Sequence, residues 1–574
     1  MAKINIPFNG VDYSIDEASL SNASTSLKSH LSSAMNGSGA VINLGGNAYN
    51  VDSTKLTSVK NNFITHLGTI SGNGHKVKVG SVEYSVDSSK VSGAVSALEN
   101  AFKNLENLTK QPEVITYYTQ EDINNSNGKL IACGATNPLY IVAAISDDNT
   151  TMTVTKNGDD SDCTMVDFSD AQIKNMGFPL ESIIVKNGVK DIGRFFISGC
   201  TTVTNVVIPD SVISIHGFAF YGCTGLKSIE IPDSVTNIDG YAFKKCTSLT
   251  SVVIPDSVTT IGEDVFSGCS GLKSITISNN ITSISPYAFD SCTGLTSIII
   301  PNSVTSIGKY AFYNCTGLTS IEIPNDVTSI GNNAFYGCVN LKSVTIGDSL
   351  TSIGEQVFSW CHNLTSITVS DNNKKYHSSG NCLIETSSKT LTLGCNNSII
   401  PMDNSIVNID NYAFYNCSAL ASVVIPDSVT NIGNYAFYQC YDLKSIIIGS
   451  SVTNIGDYAF YYCNKFTSVV IPDSVTHIGN YAFSRCDGLT SIEIPESVTN
   501  IGYRAFYYCL GLKSIIISDN VTNIDDYAFG DCNNLESITF DGTMSQWDAI
   551  EKGENWNYNV KVKYVQCSDG QVTL

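Results

Sequence analysis

LTSVVIPDSVTTIGEDVFSGC, from Leu249 to Cys269, is one copy of a unit that the chain repeats with a 23-residue step. Leu249, Val252 and Ile254 form an L-x-x-V-x-I pattern, in which Val252 and Ile254 alternate as on a strand. Pro255 ends that strand because it has no N–H for the ladder. Asp256 and Ser257 suit a turn. Val258 and Ile261 make a second short apolar stretch, and Gly262 releases the chain into a helical turn. Val265, Phe266 and Cys269 then close the coil from the far side. One coil cannot bury these apolar positions alone, but stacked coils can, and this is the logic of a solenoid.

The step holds along the chain. Cys200, Cys223, Cys246, Cys269, Cys292, Cys315, Cys338 and Cys361 are 23 residues apart, and Cys417, Cys440, Cys463, Cys486, Cys509 and Cys532 resume the step after a break. Three residues before each cysteine stands Phe, from Phe220 to Phe529, with Ile197 as the exception. Three residues after it stands Leu, with Val203 and Phe466 as exceptions. Fourteen of the 19 cysteines therefore mark one position of one repeat. At that position Cys reads as a small buried filler. Neighbouring coils put their cysteines on parallel Cβ vectors, which is poor disulfide geometry. There is no C-x-x-C pair to suggest zinc.

Runs such as IPDSVTNIGNYAFYQC, Ile425 to Cys440, resemble the BspA-like branch of the leucine-rich repeats over roughly residues 180–574. The expected fold is an α/β-type repeat solenoid, a right-handed coil with a parallel sheet on one face, plus a small N-terminal α+β repeat module. The resemblance implies a surface or secreted protein of a host-associated microbe, with adhesion to host matrix proteins or to other cells as its role.

Outside the regular repeats, residues 371–400 read as an irregular island. In it CLIE and TLTL are candidate strands around the turn TSSK. It is either a tolerated insertion or a binding loop. Residues 542–574, with Trp547, Ile550 and Trp556, read as the C-terminal cap that a solenoid end needs, or as a sugar-binding segment. Residues 1–110 hold another repeat built around Tyr13, Tyr49 and Tyr84. Each unit reads as a β-hairpin followed by a helix, with Asp16, Asp52 or Asp87 at the helix N-cap. This module could join the solenoid to a larger assembly. Residues 111–180 form a β-rich transition and N-terminal cap, and residues 181–541 form the solenoid. Asp147, Asp148, Asp159, Asp160 and Asp162 cluster in the transition, as a solvated loop or a calcium site without EF-hand spacing.

Composition narrows the function classes. With 32 Lys plus Arg against 53 Asp plus Glu, the formal net charge is -21. That balance speaks against nucleic acid and against an anionic membrane surface. No run is long and apolar enough for membrane insertion. The N-terminus MAKINIPFNG does not read as a signal peptide. No H-E-x-x-H, G-x-S-x-G or phosphate-binding glycine motif is present, and the seven histidines have no repeated partner. The sequence therefore points to no catalytic residue, no metal ligand and no cofactor.

Two surfaces are candidates for binding a protein or glycan. Outward strand positions carry a serine column and then a variable column with Glu230, Glu322 and Glu493 among apolar and Thr residues, rimmed by Lys227, Lys273, Lys342, Lys444 and Lys513. This column reflects either strand propensity or a docking face. The second candidate is a tyrosine column, Tyr241, Tyr287, Tyr310, Tyr412, Tyr435, Tyr458, Tyr481 and Tyr527, beside a second one that includes Tyr438 and Tyr461. These rings either pack on one another or form an adhesive edge. The leading reading is a non-enzymatic adhesion or recognition protein, extracellular, at the cell surface or particle-associated. The alternatives are a structural or receptor-binding part of a phage-like particle and an intracellular scaffold.

Overall fold

The computed structural model describes residues 118–574, apart from 135–137, 158–163 and 170–171, together with six strands between residues 3 and 85. The chain divides into two units, Met1–Tyr117 and Tyr118–Leu574. In the first, Lys3–Phe8 pairs antiparallel with Val11–Asp16, Val41–Leu44 with Asn47–Asn50, and Lys76–Val79 with Val82–Ser85. These strands carry Tyr13, Tyr49 and Tyr84; the helices expected after them lie outside the described residues.

In the second unit the repeat winds as a right-handed solenoid of mostly parallel strands. Ser320–Ile323, Ser343–Ile346 and Ser366–Val369 lie side by side, each serine opposite the serine 23 residues on. The burial alternates as the sequence pattern demands: Val252 is buried and Val253 exposed. The second apolar stretch of the coil forms a parallel ladder of its own, which the sequence reading did not anticipate. Ser283–Ile284, Ser306–Ile307, Ser329–Ile330 and Ser352–Ile353 are four successive rungs.

The helical turn expected after Gly262 is instead a pair of tight turns. Each coil there places two residues in left-handed backbone, four apart, such as Tyr241 and Lys245 (φ 64° and 63°) or Tyr458 and Tyr462 (φ 56° and 62°). A left-handed residue other than glycine costs about 1–2 kcal/mol. The turns gain in return a third ladder between coils. The N–H groups of Asp264, Phe266 and Gly268 donate to the carbonyls of Pro286, Ala288 and Asp290 at 3.1, 2.9 and 2.7 Å. Gly262 stands where coils approach most closely: a Cβ there would lie 2.0 Å from the Gly240 nitrogen.

Inside, identical side chains stack. Phe220, Phe243, Phe266, Phe289, Phe312, Phe335 and Phe358 have ring centres 5.0–5.9 Å apart, nearly parallel. Beside them runs the cysteine column, which does more than fill space. Cys246 Sγ donates to the Phe220 carbonyl at 3.1 Å and Cys292 Sγ to the Phe266 carbonyl at 3.2 Å, and most other repeats do the same. A small apolar residue with one weak donor fits a dry site facing a carbonyl. Burial pushes the Cys292 thiol well above its ordinary value, so it is held as the unreactive neutral form.

The stretch at 371–400 divides the interior in two. Cys382–Glu385 pairs antiparallel with Thr390–Leu393 across Thr386–Lys389, and a further strand, Tyr376–Ser379, lies on its other side. Thr390–Leu393 then pairs parallel with Asn408–Ile409, which splices the hairpin into the second ladder. Leu383 packs into the core that runs back to Cys133, while Cys382 and Ile384 pack into the core that runs on to Cys567. Alternate residues of one strand thus serve the two cores.

At the far end the short helix Met544–Ala549 is capped by Thr543 and Gln546. It sets Trp547 against Phe540, and Trp556 meets Phe529, the last ring of the stacked column, edge-on. Both tryptophans are buried, which removes them as sugar platforms. At the near end Ile141–Ile145 and Thr151–Lys156 form an antiparallel pair that continues in parallel through Ser182–Val185 into the first coils. Asp148 accepts hydrogen bonds from Ser146 and Thr150 within a turn, and Asp159, Asp160 and Asp162 lie outside the described residues.

Phe437→Ala should destabilise the solenoid by about 3–5 kcal/mol in urea unfolding, because it removes a ring stacked on both sides. The repeat thiols should react with Ellman's reagent only in denaturant. Stoichiometric reaction of the native chain at the unfolded rate would contradict the buried column.

Candidate functional site

The strand ladder presents its variable column to solvent. Val253, Ile299, Val424, Ile447 and Val470 are 58, 80, 42, 58 and 79 % exposed. Val424, Ile447 and Val470 occupy three successive coils, and Val424 lies directly opposite Ile447. Glu230, Glu322 and Glu493 stand in the same column and are exposed. They are not brought together: Glu230 and Glu322 are four coils apart, and Glu493 lies on the other side of the 371–400 stretch, with Ile516 as its register partner. Lys444 and Lys513 are exposed at the rim of the strip, as are Lys227, Lys273 and Lys342 earlier in the chain. The contiguous feature is therefore an apolar strip with charge at its margins.

The tyrosines are brought together far more closely, and in a way that limits them. Tyr412, Tyr435, Tyr458 and Tyr481 form one stack, with centres 5.1, 4.7 and 4.5 Å apart and planes within 10°. Tyr287 stacks on Tyr310 at 4.8 Å. Tyr241 stacks on Phe218 at 4.5 Å, and Tyr527 stands apart, beyond Arg504. The second column repeats the arrangement at Tyr415, Tyr438 and Tyr461, 4.8 and 5.0 Å apart. All these rings are half-buried. Their faces are spent on each other, so ring edges and hydroxyls are what remain for solvent. Burial, reinforced by neighbouring tyrosines, pushes the Tyr438 and Tyr458 hydroxyls up to about 12, so both stay protonated donors.

A shallow groove of about 470 Å³ follows the second ladder, lined by Ser283, Ser306, Ser329, Ser352, Gly308 and Gly331. Nearer the start of the solenoid, His216 clasps two coils. Its Nδ1 lies 3.0 Å from Asp239 Oδ2 and its Nε2 3.7 Å from Asp191 Oδ2. Asp191 also accepts the Met165 N–H, so the clasp reaches the segment before the first coil. The Asp191 carboxylate raises the imidazole to about 9 against the opposing effect of burial, and Asp239 adds to the rise. Among the described residues no group of three or more His, Cys, Asp or Glu is placed to hold a metal ion. No helix among them is long and apolar enough to cross a membrane.

The family model of the BspA type leucine rich repeat region (6 copies) matches residues 174–296, 282–402, 393–469 and 453–551, more than half of the chain. The chain belongs to the BspA-type leucine-rich-repeat family. No curated protein matches it. Among solved structures it is similar to a leucine rich cell surface protein from Faecalibacterium prausnitzii, at 29% identity over 72% of this chain and 96% of that one, with a TM-score of 0.38. It is also similar to a leucine-rich repeat protein from Bacteroides ovatus, at 24% identity over 74% and 98% of the two chains, with a TM-score of 0.37. The pneumococcal vaccine antigen PcpA matches at 15% identity over 75% and 98%, with a TM-score of 0.39. With TM-scores this low, the repeat family itself is what places the chain.

Two residues of this BspA-type solenoid escaped the sequence reading. Arg485 and Arg504 stand in the left-handed turn positions among the tyrosines. Their signal was scarcity, since they are two of only three arginines in the chain. Reading the turn columns across repeats would have placed both beside the tyrosine ladders.

Two outcomes follow. Tyr458→Asn should cost about 1–3 kcal/mol in denaturant unfolding through two lost ring stacks, since Asn333 shows that asparagine accepts the same left-handed position; a loss under about 0.5 kcal/mol would mean that the stacks contribute little. His216 gains charge-dependent stability that is full below its ordinary value of 6.5 and is lost as the pH rises through about 9. Thermal unfolding of the wild type should therefore approach that of His216→Asn above pH 9 and exceed it at pH 6; parallel curves at all pH values would remove the clasp.

Proposed function

We propose that this solenoid is a non-enzymatic recognition protein that holds a host-cell or matrix macromolecule, protein or glycan, on its strand face, in the adhesive role that its family suggests. The observation that carries this reading is the column of Val424, Ile447 and Val470 on successive coils, each well exposed on an otherwise weakly charged sheet. Strand propensity alone explains β-branched residues but not their clustering, because threonine serves equally well in the same column at Thr276, Thr345, Thr368 and Thr539. Contiguous exposed apolar surface with a polar rim is what interface cores are made of. In this reading the unit Met1–Tyr117 is the attachment module, and the protein acts outside the cell or on a particle.

The test compares the full chain with a Val424→Thr, Ile447→Thr, Val470→Thr variant on immobilised matrix proteins and glycans. The variant should keep its unfolding midpoint and bind at least about tenfold more weakly, as expected for a central apolar cluster. No binding by the wild type, or equal binding by the variant, would sink the proposal.

A further inference from the structure

Arg485 and Arg504 lie in successive coils of the turn ladder, both in left-handed backbone, at φ 57° and 54°. Arg485 is sandwiched between Tyr462 and Tyr508, the residues 23 before and after it, with its guanidinium carbon 5.0 and 4.5 Å from their ring centres. Arg504 is sandwiched in the same way between Tyr481 and Tyr527, at 5.7 and 5.0 Å, with Tyr507 at 4.8 Å. Tyr507 links the two sites, because its carbonyl accepts the Arg485 N–H at 2.8 Å while its ring lies against Arg504.

The guanidiniums are held but not used up. Arg485 Nη1 donates to the Tyr462 hydroxyl at 2.9 Å and Arg504 Nη1 to the Tyr481 hydroxyl at 3.1 Å. Among the described residues neither arginine forms an ion pair; Arg504 Nε is buried without a partner, so the outer Nη edge is the part of that guanidinium left for a ligand. The acids nearby are engaged elsewhere or stand off. Asp531 accepts from Asn559 at 2.8 Å and faces the Tyr507 hydroxyl, and Asp487 lies near Arg485 without pairing. Two neighbouring half-buried guanidiniums with no carboxylate of the chain on them leave that partner for a ligand to supply.

We propose that the Arg485–Arg504 cluster binds a carboxylate-bearing sugar, with the guanidinium edges taking the carboxylate and the tyrosine hydroxyls taking the sugar hydroxyls. A guanidinium fork matches a planar carboxylate, and stacking has already fixed its rotamer, which lowers the entropy lost on binding. An acidic peptide fits less well. It would add to a free strand edge, but the N–H groups of Tyr481, Arg485, Arg504 and Tyr508 already donate to the next coil at 2.8–3.1 Å. The overall negative charge disfavours a polyanion and leaves a sugar with a single acid group as the compatible ligand.

The test is calorimetric titration of the full chain with sialyllactose, a glucuronate-terminated disaccharide, neutral lactose and a glutamate-rich peptide. Arg485→Gln and Arg504→Gln are suitable variants, because Gln439 and Gln356 occupy the same two left-handed positions in other coils, at φ 57° and 54°. An acidic sugar should bind where lactose does not, and each variant should weaken it by about tenfold or more at an unchanged unfolding midpoint. The proposal is overturned if neither acidic sugar binds, if lactose or the peptide binds as well, or if both variants bind like the wild type. The cluster lies on the turn ladder and not in the Val424–Val470 column, so either binding reading can fail while the other stands.

Discussion

Adjacent coils must meet at the strand spacing of about 4.8 Å, and they must do so on every side of the coil at once. Three ladders of backbone hydrogen bonds impose that spacing: two of strands and one of left-handed turns. Side chains that close on backbone groups reinforce it. Ser257 Oγ donates to the Val235 carbonyl at 2.6 Å, the Cys246 thiol donates to the Phe220 carbonyl, and the Asn434 N–H donates to the Asn411 side chain at 2.7 Å. Each of these contacts joins a residue to one about a repeat away, so each coil is specified by its neighbours. This is why the ends and the 371–400 stretch, where a neighbour differs or is missing, carry the irregular structure.

The same spacing decides what the surfaces offer. Where the rings of successive coils lie face to face, as in the tyrosine stack, their faces disappear from solvent. Where side chains point straight out from a strand, as at Val470, nothing covers them. An aromatic column is thus the more conspicuous feature of the sequence but the less available surface, and an inconspicuous valine column is the more available one. The arginines sit between these cases. A guanidinium in a tyrosine stack keeps its edge free while its faces are covered, so it interrupts the ladder chemically without interrupting it structurally.

The two cores show how such a structure tolerates change. Leu383 belongs to one core while Cys382 and Ile384 belong to the other. A hairpin can therefore enter the stack as a plate whose two sides complete different interiors. At the C-terminal end Trp556 closes the phenylalanine column by meeting Phe529 edge-on, and Trp547 packs against Phe540 of the last strand beside it.

By itself the sequence determined the coil length, the strand with its inward and outward residues, the phenylalanine and cysteine columns and the apolar cap, because periodic burial leaves a periodic sequence. The pairing of Cys382–Glu385 with Thr390–Leu393 was legible for the same reason, as two short runs around a polar turn. Only the tertiary structure decided that Thr260–Ile261 is a rung of a second ladder, that the tyrosines sit in left-handed turns, that the thiols donate to carbonyls, and that Arg485 and Arg504 are sandwiched between rings. These facts depend on the direction of a backbone group or side chain relative to the next coil. Residue types at a fixed spacing report which positions are buried together, but they carry no record of that direction.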